Sequence, residues 1–249
     1  MEMGVRVHQI ASTSPLLPNT RAVLADTVVL CNPFQKDELA WMVASGHEWP
    51  ESVLWGPEET VELEAALGWS TRQHHPTVVG LYTQGFRARI AMGSEPESTG
   101  IPQAEHEEWL HRILMEYLTE HPEVTLRVYP HPLERRIYRA DGTHHLQALE
   151  GCDRVGIDWS DASSVGAFEE VGIGVTTFST VGFDRLYMGF PTLFFVTDEV
   201  DRTIASPFQR VFTRGEAGLK RELVALSVLA PDEFMGEIFG GQFGPPPQT

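Results

Sequence analysis

Cysteine is almost missing from this chain, and so is any surplus of basic charge. Only two cysteines, Cys31 and Cys152, occur among 249 residues, too few for a disulfide framework or a four-thiolate zinc centre. That usage suits a reducing compartment, and the expected location is cytoplasmic. Lys and Arg number 18 against 35 Asp and Glu, a formal net charge of -17. Without a basic stripe to follow a phosphate backbone, nucleic acid is not an expected partner. The same acidity argues against a broadly basic membrane-binding face. It leaves room for a phosphorylated small molecule, because a few backbone N–H groups at a helix start bind phosphate locally. There is no charged-then-apolar leader, and no apolar run nears the roughly 20 residues of a membrane span, so any membrane association is expected to be peripheral.

Several chemical signatures are lacking as well. No G-x-x-x-x-G-K-[ST] loop, G-x-G-x-x-G fingerprint or G-x-S-x-G elbow is present, which weakens ATPase, classical dehydrogenase and α/β-hydrolase readings. His74-His75 and His144-His145 are paired, but adjacent side chains point apart and no third ligand stands at metal spacing. No metal site is expected.

What the sequence does contain is a succession of short apolar strands and amphipathic helices. In the first segment, 1–76, strands are predicted at Val5–Ile10, Ala22–Leu30 and Ser52–Trp55, and helices at Asp37–Ser45 and Glu58–Leu67. The second segment, 77–239, is more regular. Strands are predicted at Thr77–Tyr82, Val124–Tyr129, Arg154–Ile157, Ile173–Thr177 and Pro191–Val196. A Gly/Ser/Pro-rich loop is expected at Gly93–Pro102. A helix over Ala104–His121 places Trp109, Leu110, Ile113, Leu114, Tyr117 and Leu118 on one face. Further helices are expected from Ser163 or Ser164 to Val171, at Thr180–Met188, Glu216–Val228 and Pro231–Phe239. Residues 240–249, with three consecutive prolines, read as a disordered tail. Alternating strands and helices predict an α/β fold, a Rossmann-like parallel sheet with helices on both faces. Ligands of such sheets bind beyond the carboxyl ends of the strands, which directs attention to Tyr82, Tyr129 and Thr177.

Each of those ends carries candidate site residues. After Tyr129 comes Pro130-His131-Pro132-Leu133-Glu134-Arg135-Arg136. The two prolines fix φ near about -65° on either side of His131 and hold its imidazole with little entropy left to lose. Such a ring can donate to a phosphate oxygen. Thr176-Thr177-Phe178-Ser179-Thr180 puts four hydroxyls where a strand turns into a helix. Capping accounts for one, and the unpaired N–H groups and dipole of the helix start favour phosphate for the rest. Asp184 follows Thr180 by one turn; it can meet ribose hydroxyls or pair with Arg185. At Tyr82-Thr83-Gln84-Gly85-Phe86-Arg87, an ordinary turn is the leading reading; the alternative is that Gly85 permits close backbone approach and Arg87 neutralises a phosphate. His8, near the first strand, is a candidate general base, with Glu134 as the second.

"YPHPLE" and "VTTFSTVGFDRLYMGFPTLFF" resemble the His-Pro and Ser-Ser/Ser-Thr motifs of GT-B-fold transferases of bacterial surface-polysaccharide synthesis, the sialyl- and polysialyltransferases, capsule transferases and CDP-glycerol glycerophosphotransferases. That resemblance implies the C-terminal, donor-binding half of a GT-B enzyme at 77–239, preceded by a shortened N-terminal acceptor-side portion. It implies donor phosphate binding by His131, Ser179 and Thr180 and a ribose contact from Asp184; the strand-end positions add Thr177 as a phosphate candidate and Tyr129, Gly85 and Arg87 as ribose or base candidates. The expected reaction moves a glycosyl group from a nucleotide-activated sugar to a glycan or lipid-linked acceptor, with the donor as substrate and no cofactor. CDP-alditol glycerophosphotransfer is the alternative chemistry. A non-catalytic nucleotide-sugar-binding module, or one part of a split enzyme with a partner subunit, is the alternative of another class.

Overall fold

A computed structural model of the chain describes residues 8–10, 27–30, 52–55, 75–162, 164–187, 190–197, 211–230 and 233–234. The helices expected at 37–45 and 58–67 and the tail 240–249 lie outside these residues, as does nearly all of the helix expected at 231–239.

In the first segment, β1 (His8–Ile10), β2 (Thr27–Leu30) and β3 (Ser52–Trp55) form a three-stranded parallel sheet in that order. The second segment builds a six-stranded, all-parallel sheet from β4 (Val78–Tyr82), β5 (Thr125–Tyr129), β6 (Val155–Ile157), β7 (Ile173–Thr176), β8 (Thr192–Phe195) and β9 (Phe212–Thr213). The helices are α1 (Phe86–Ala91), α2 (Glu97–Glu120), α3 (Pro132–Asp141), α4 (Thr180–Tyr187) and α5 (Gly215–Val228). The spatial order is β6-β5-β4-β7-β8-β9. Counted from β4, this is the 3-2-1-4-5-6 order of the Rossmann fold, whose strand order reverses between its first and fourth strands. The reversal here falls between β4 and β7, and the crevice outside their carboxyl ends is where this topology receives ligands.

Both faces of the sheet are covered. Successive side chains of a strand point to opposite faces. Val79 and Leu81 of β4 accordingly join Leu110, Ile113, Leu114 and Tyr117 of α2 in the main core, while Tyr82 joins Phe168, Val171 and Phe190 in a second cluster.

Three expectations are revised. α2 begins at Glu97, inside the expected loop, with Pro102 within it. A close approach accompanies the early start: a Cβ on Gly100 would lie 2.7 Å from Ile90 Cγ1, so α1 packs directly on the first turns of α2. The segment after Tyr82 contains helix α1, where an ordinary turn was one of the readings, and the segment after Tyr129 contains helix α3, for which no helix was expected. The helix expected from Ser163 or Ser164 is a 3-10 helix, Ser164–Glu170.

One of the buried charged side chains belongs to α4. Arg185 of α4 is fully buried; it donates to the Phe168 carbonyl at 2.8 Å and to the Val171 carbonyl, with the Phe190 ring centroid 4.9 Å from the guanidinium. It passes directly over Gly174, where a Cβ would stand 2.6 Å from Nε. Those carbonyl bonds prevent the side chain from moving aside. Gly174→Ala is therefore expected to lower stability by about 1–3 kcal/mol, read from the urea midpoint at unchanged slope.

Candidate functional site

At the carboxyl edge, β5 runs into α3 through His131. The proline at the first helical position is pre-organised for the helix and needs no N–H partner there. His131 is the N-cap: its Nδ1 accepts the Leu133 N–H at 3.2 Å, and the Glu134 carboxylate accepts the His131 N–H at 2.9 Å. This is a capping box with histidine in the place usual for Ser or Thr. Thr83, at the end of β4, completes the knot. Its hydroxyl accepts the His131 N–H at 2.8 Å and donates to Glu134.

The cap decides the tautomer. A backbone N–H only donates, so Nδ1 carries no proton and the neutral ring holds its proton on Nε2. Burial, with Arg89 and Arg135 nearby, lowers the His131 pKa and keeps the ring neutral. Nε2–H is thus the group left for a ligand.

His131 and Ser179 line one cavity of about 300 Å³, together with Thr83, Tyr129, Arg135 and Ser164. Their meeting follows from sheet order, because β5 and β7 flank β4. Tyr82 and Tyr129 stack in its wall, centroids 5.0 Å apart and 10° from parallel. Burial, foremost, pushes the Tyr129 phenol up to about 12, so it stays a neutral donor. Arg135 is buried, and its guanidinium donates to the carbonyls of Pro130, Ser160 and Ala162, each at 2.8 Å. Among the described residues no carboxylate pairs with it. Asp161, also in the wall, pairs with Arg139. The cavity therefore combines an Nε2–H, a serine hydroxyl and a cation held by carbonyls, at the starts of α3 and α4, where helix dipoles favour an anion. Thr83 and Arg135 were not singled out from sequence. The Glu three residues past His131 was the visible sign of the knot, whereas the reach of Arg135 to Ser160 and Ala162 is tertiary.

The other expected residues divide. Thr177 lines a second, larger cavity with Gln84 and Phe178, not the cavity of His131. Thr180 opens α4 and is exposed, and Asp184 follows it on the same helix; neither lines either cavity. Gly85 precedes α1 with φ 64°, and its backbone packs against His131 and Glu134. Arg87 pairs with Glu108 at 2.8 Å and lines neither cavity. Glu134 is buried within the knot, its pKa raised chiefly by burial, and does not line the cavity. His8 opens β1 in the three-stranded sheet, and its side chain lies outside the described residues.

The turn between β4 and α1 has its own occupant. Glu107, on α2 and buried, accepts the backbone N–H groups of Gln84, Gly85 and Phe86. Burial first, and then Glu134, push this carboxyl up to about 8.

Fold and edge together define a Rossmann-like α/β domain with a crevice at its switch point. No family model and no curated protein matches the chain. Among solved structures it is similar to one described as "Crystal structure of GtfA/B complex", at 13% identity and TM-score 0.46, over 89% of this chain and 42% of that one. It is also similar to the "Glycosylation Associate Protein (Gap123) complex from Streptococcus agalactiae", at 10% identity and TM-score 0.43, over 94% of this chain and 47% of that one. The chain spans less than half the length of both. Among the described residues no helix is long and apolar enough to cross a membrane, and no three His, Cys, Asp or Glu side chains are grouped to hold a metal ion.

Proposed function

We propose that this chain is the donor-binding part of a glycosyltransferase, and that the smaller cavity holds the phosphate of a nucleotide-activated sugar. The observation that carries the reading is the convergence of His131, Ser179 and Arg135 on one cavity at the strand ends. A glycosyl donor breaks its bond to phosphate, and negative charge grows on the departing oxygen. A neutral Nε2–H, a hydroxyl and a fixed guanidinium stabilise that charge without reorganising. The motifs around His131 and Ser179–Thr180 resemble those of bacterial surface-polysaccharide transferases, which supports the same assignment. The acceptor, a glycan or lipid-linked sugar, and the base that activates it belong to the acceptor side, supplied by the first segment or by a partner subunit. The setting is cytoplasmic.

A thermal-shift screen against CMP, CDP, UDP and GDP tests the reading. Ligand at 100 times its Kd stabilises a native protein by about 2.7 kcal/mol. At least one nucleotide is expected to raise the Tm, and His131→Asn to abolish the rise. Asn is a good N-cap, so that variant keeps α3 capped while losing Nε2–H. If none of the nucleotides shifts the Tm, or the variant responds as the parent does, the phosphate assignment is wrong.

A further inference from the structure

The second cavity, about 680 Å³, opens on the same edge over β4, β7 and β8. Its size lies within the roughly 300–1,000 Å³ of small-molecule sites. Its chemistry differs from that of its neighbour. The charges in its wall are Arg89 and Glu95, which pair with each other at 3.3 Å. An anion entering here meets a cation already neutralised. What remains is amide, hydroxyl and aromatic surface.

His106 and Phe195 stack with centroids 4.6 Å apart and 4° from parallel. His106 Nε2 lies 3.0 Å from the Phe195 carbonyl, which only accepts, so the ring proton sits there and Nδ1 is an acceptor. Burial lowers the His106 pKa and favours that neutral form. Gln103 and Thr99, both exposed, add an amide and a hydroxyl to the wall. Thr177 is 6% exposed, and its Oγ1 has no hydrogen-bond partner among the described residues. A buried hydroxyl left unpaired is destabilising, and a ligand hydroxyl in the cavity would supply the missing partner.

We infer that this cavity is a subsite for a neutral, polyhydroxylated ring, a sugar bound by its hydroxyls to Gln103, Thr177 and His106 Nδ1 against aromatic walls. The inference deepens the transferase reading, since it says where the sugar lies. Its evidence, however, is the chemistry of a different cavity.

Saturation-transfer NMR on the full chain tests it with methyl α-glucoside, methyl β-N-acetylglucosaminide, UDP-glucose and UDP. Ring protons of at least one sugar probe are expected to receive saturation. Gln103→Ala should weaken that probe about 3- to 10-fold, the worth of a hydrogen bond. Thr177→Val should weaken it similarly while leaving the Tm unchanged or higher, because it removes an unpaired polar group. A hydroxyl of purely structural use would show the opposite pattern: a lowered Tm and unchanged sugar binding. Weakening of UDP-glucose but not UDP assigns the ring to the donor. Weakening of a free glycoside alone assigns it to the acceptor. Both support the subsite. Silence from every sugar probe, or probes indifferent to both variants, overturns it. Ser179→Ala separates the two cavities, since it should abolish the nucleotide response and spare the glycosides. Glycoside binding without any nucleotide response sinks the donor-phosphate reading alone, and the converse result sinks the sugar subsite alone.

Discussion

Gly85→Ala is expected to lower the unfolding free energy by about 3 kcal/mol and to remove the nucleotide response with it. Two costs combine. The position has φ 64°, a left-handed conformation that costs a residue with a Cβ about 1–2 kcal/mol. The new Cβ would also stand 2.9 Å from His131 Cβ and 3.1 Å from Glu134 Cγ, an overpacking worth typically about 1–3 kcal/mol. Neither neighbour is free to yield. His131 Cβ is set by the proline-flanked cap, and Glu134 holds the Thr83 hydroxyl and the His131 N–H. The strain must move the knot itself, and with it Nε2–H. Urea unfolding gives the first quantity and the nucleotide thermal shift the second. Parent-like values in both would mean that the turn is not packed as described.

The second large effect is a dependence on pH, centred on Glu107. Its folded pKa, about 8, lies above the ordinary 4.5. An acid raised on folding binds its proton more tightly in the native state. Its stabilising contribution is complete below about pH 4.5 and is lost as pH rises toward 8. Where only the native state holds the proton, each pH unit is worth roughly tenfold in the folding equilibrium. His111 acts in the other direction. Buried, with neither ring nitrogen bonded among the described residues, it is lowered to about 4. It favours the native state above about pH 6.5 and loses that contribution as pH falls. Between about pH 4.5 and 6.5 the two slopes oppose each other, and above 6.5 the fall due to Glu107 stands out. Glu107→Gln keeps an acceptor oxygen for the Gln84–Phe86 amides but has no proton to lose. Urea midpoints at pH 6, 7 and 8 should therefore decline steeply in the parent. In the variant the decline should be much shallower. Parallel curves would show that Glu107 titrates in the ordinary range.

Much of this architecture was legible from residue order because the strands announce themselves. Val78–Tyr82, Thr125–Tyr129 and Ile173–Thr176 are short apolar runs bounded by Gly, Pro and polar residues, and each lies within a predicted span. From strands alternating with helices, the parallel sheet and the use of its carboxyl ends follow. Helix starts were harder. Gly, Ser and Pro in 93–102 normally break helices, and the contact of Ile90 with Gly100 that packs α1 on the first turns of α2 is tertiary. In "PHPLE" the rigidity of the prolines overshadowed a helix-start signature that is local and complete, a cap, a proline and a glutamate in order. The separation of Thr177 from Ser179 could not be anticipated. Which way a hydroxyl faces across a strand-to-helix turn depends on backbone angles that composition does not encode. Arg135 was not assigned a role for a related reason: two of its three acceptors, the Ser160 and Ala162 carbonyls, come from the segment after β6, which reaches it only in the folded chain.

The edge between the two cavities is a single layer of chain. Thr83 looks into one chamber and Gln84 into the other, and Ser179 and Phe178 divide in the same way. Such a party wall has no neutral side. An alteration made to reshape one chamber leans on the other through one peptide link, so paired substitutions along it should fail to add.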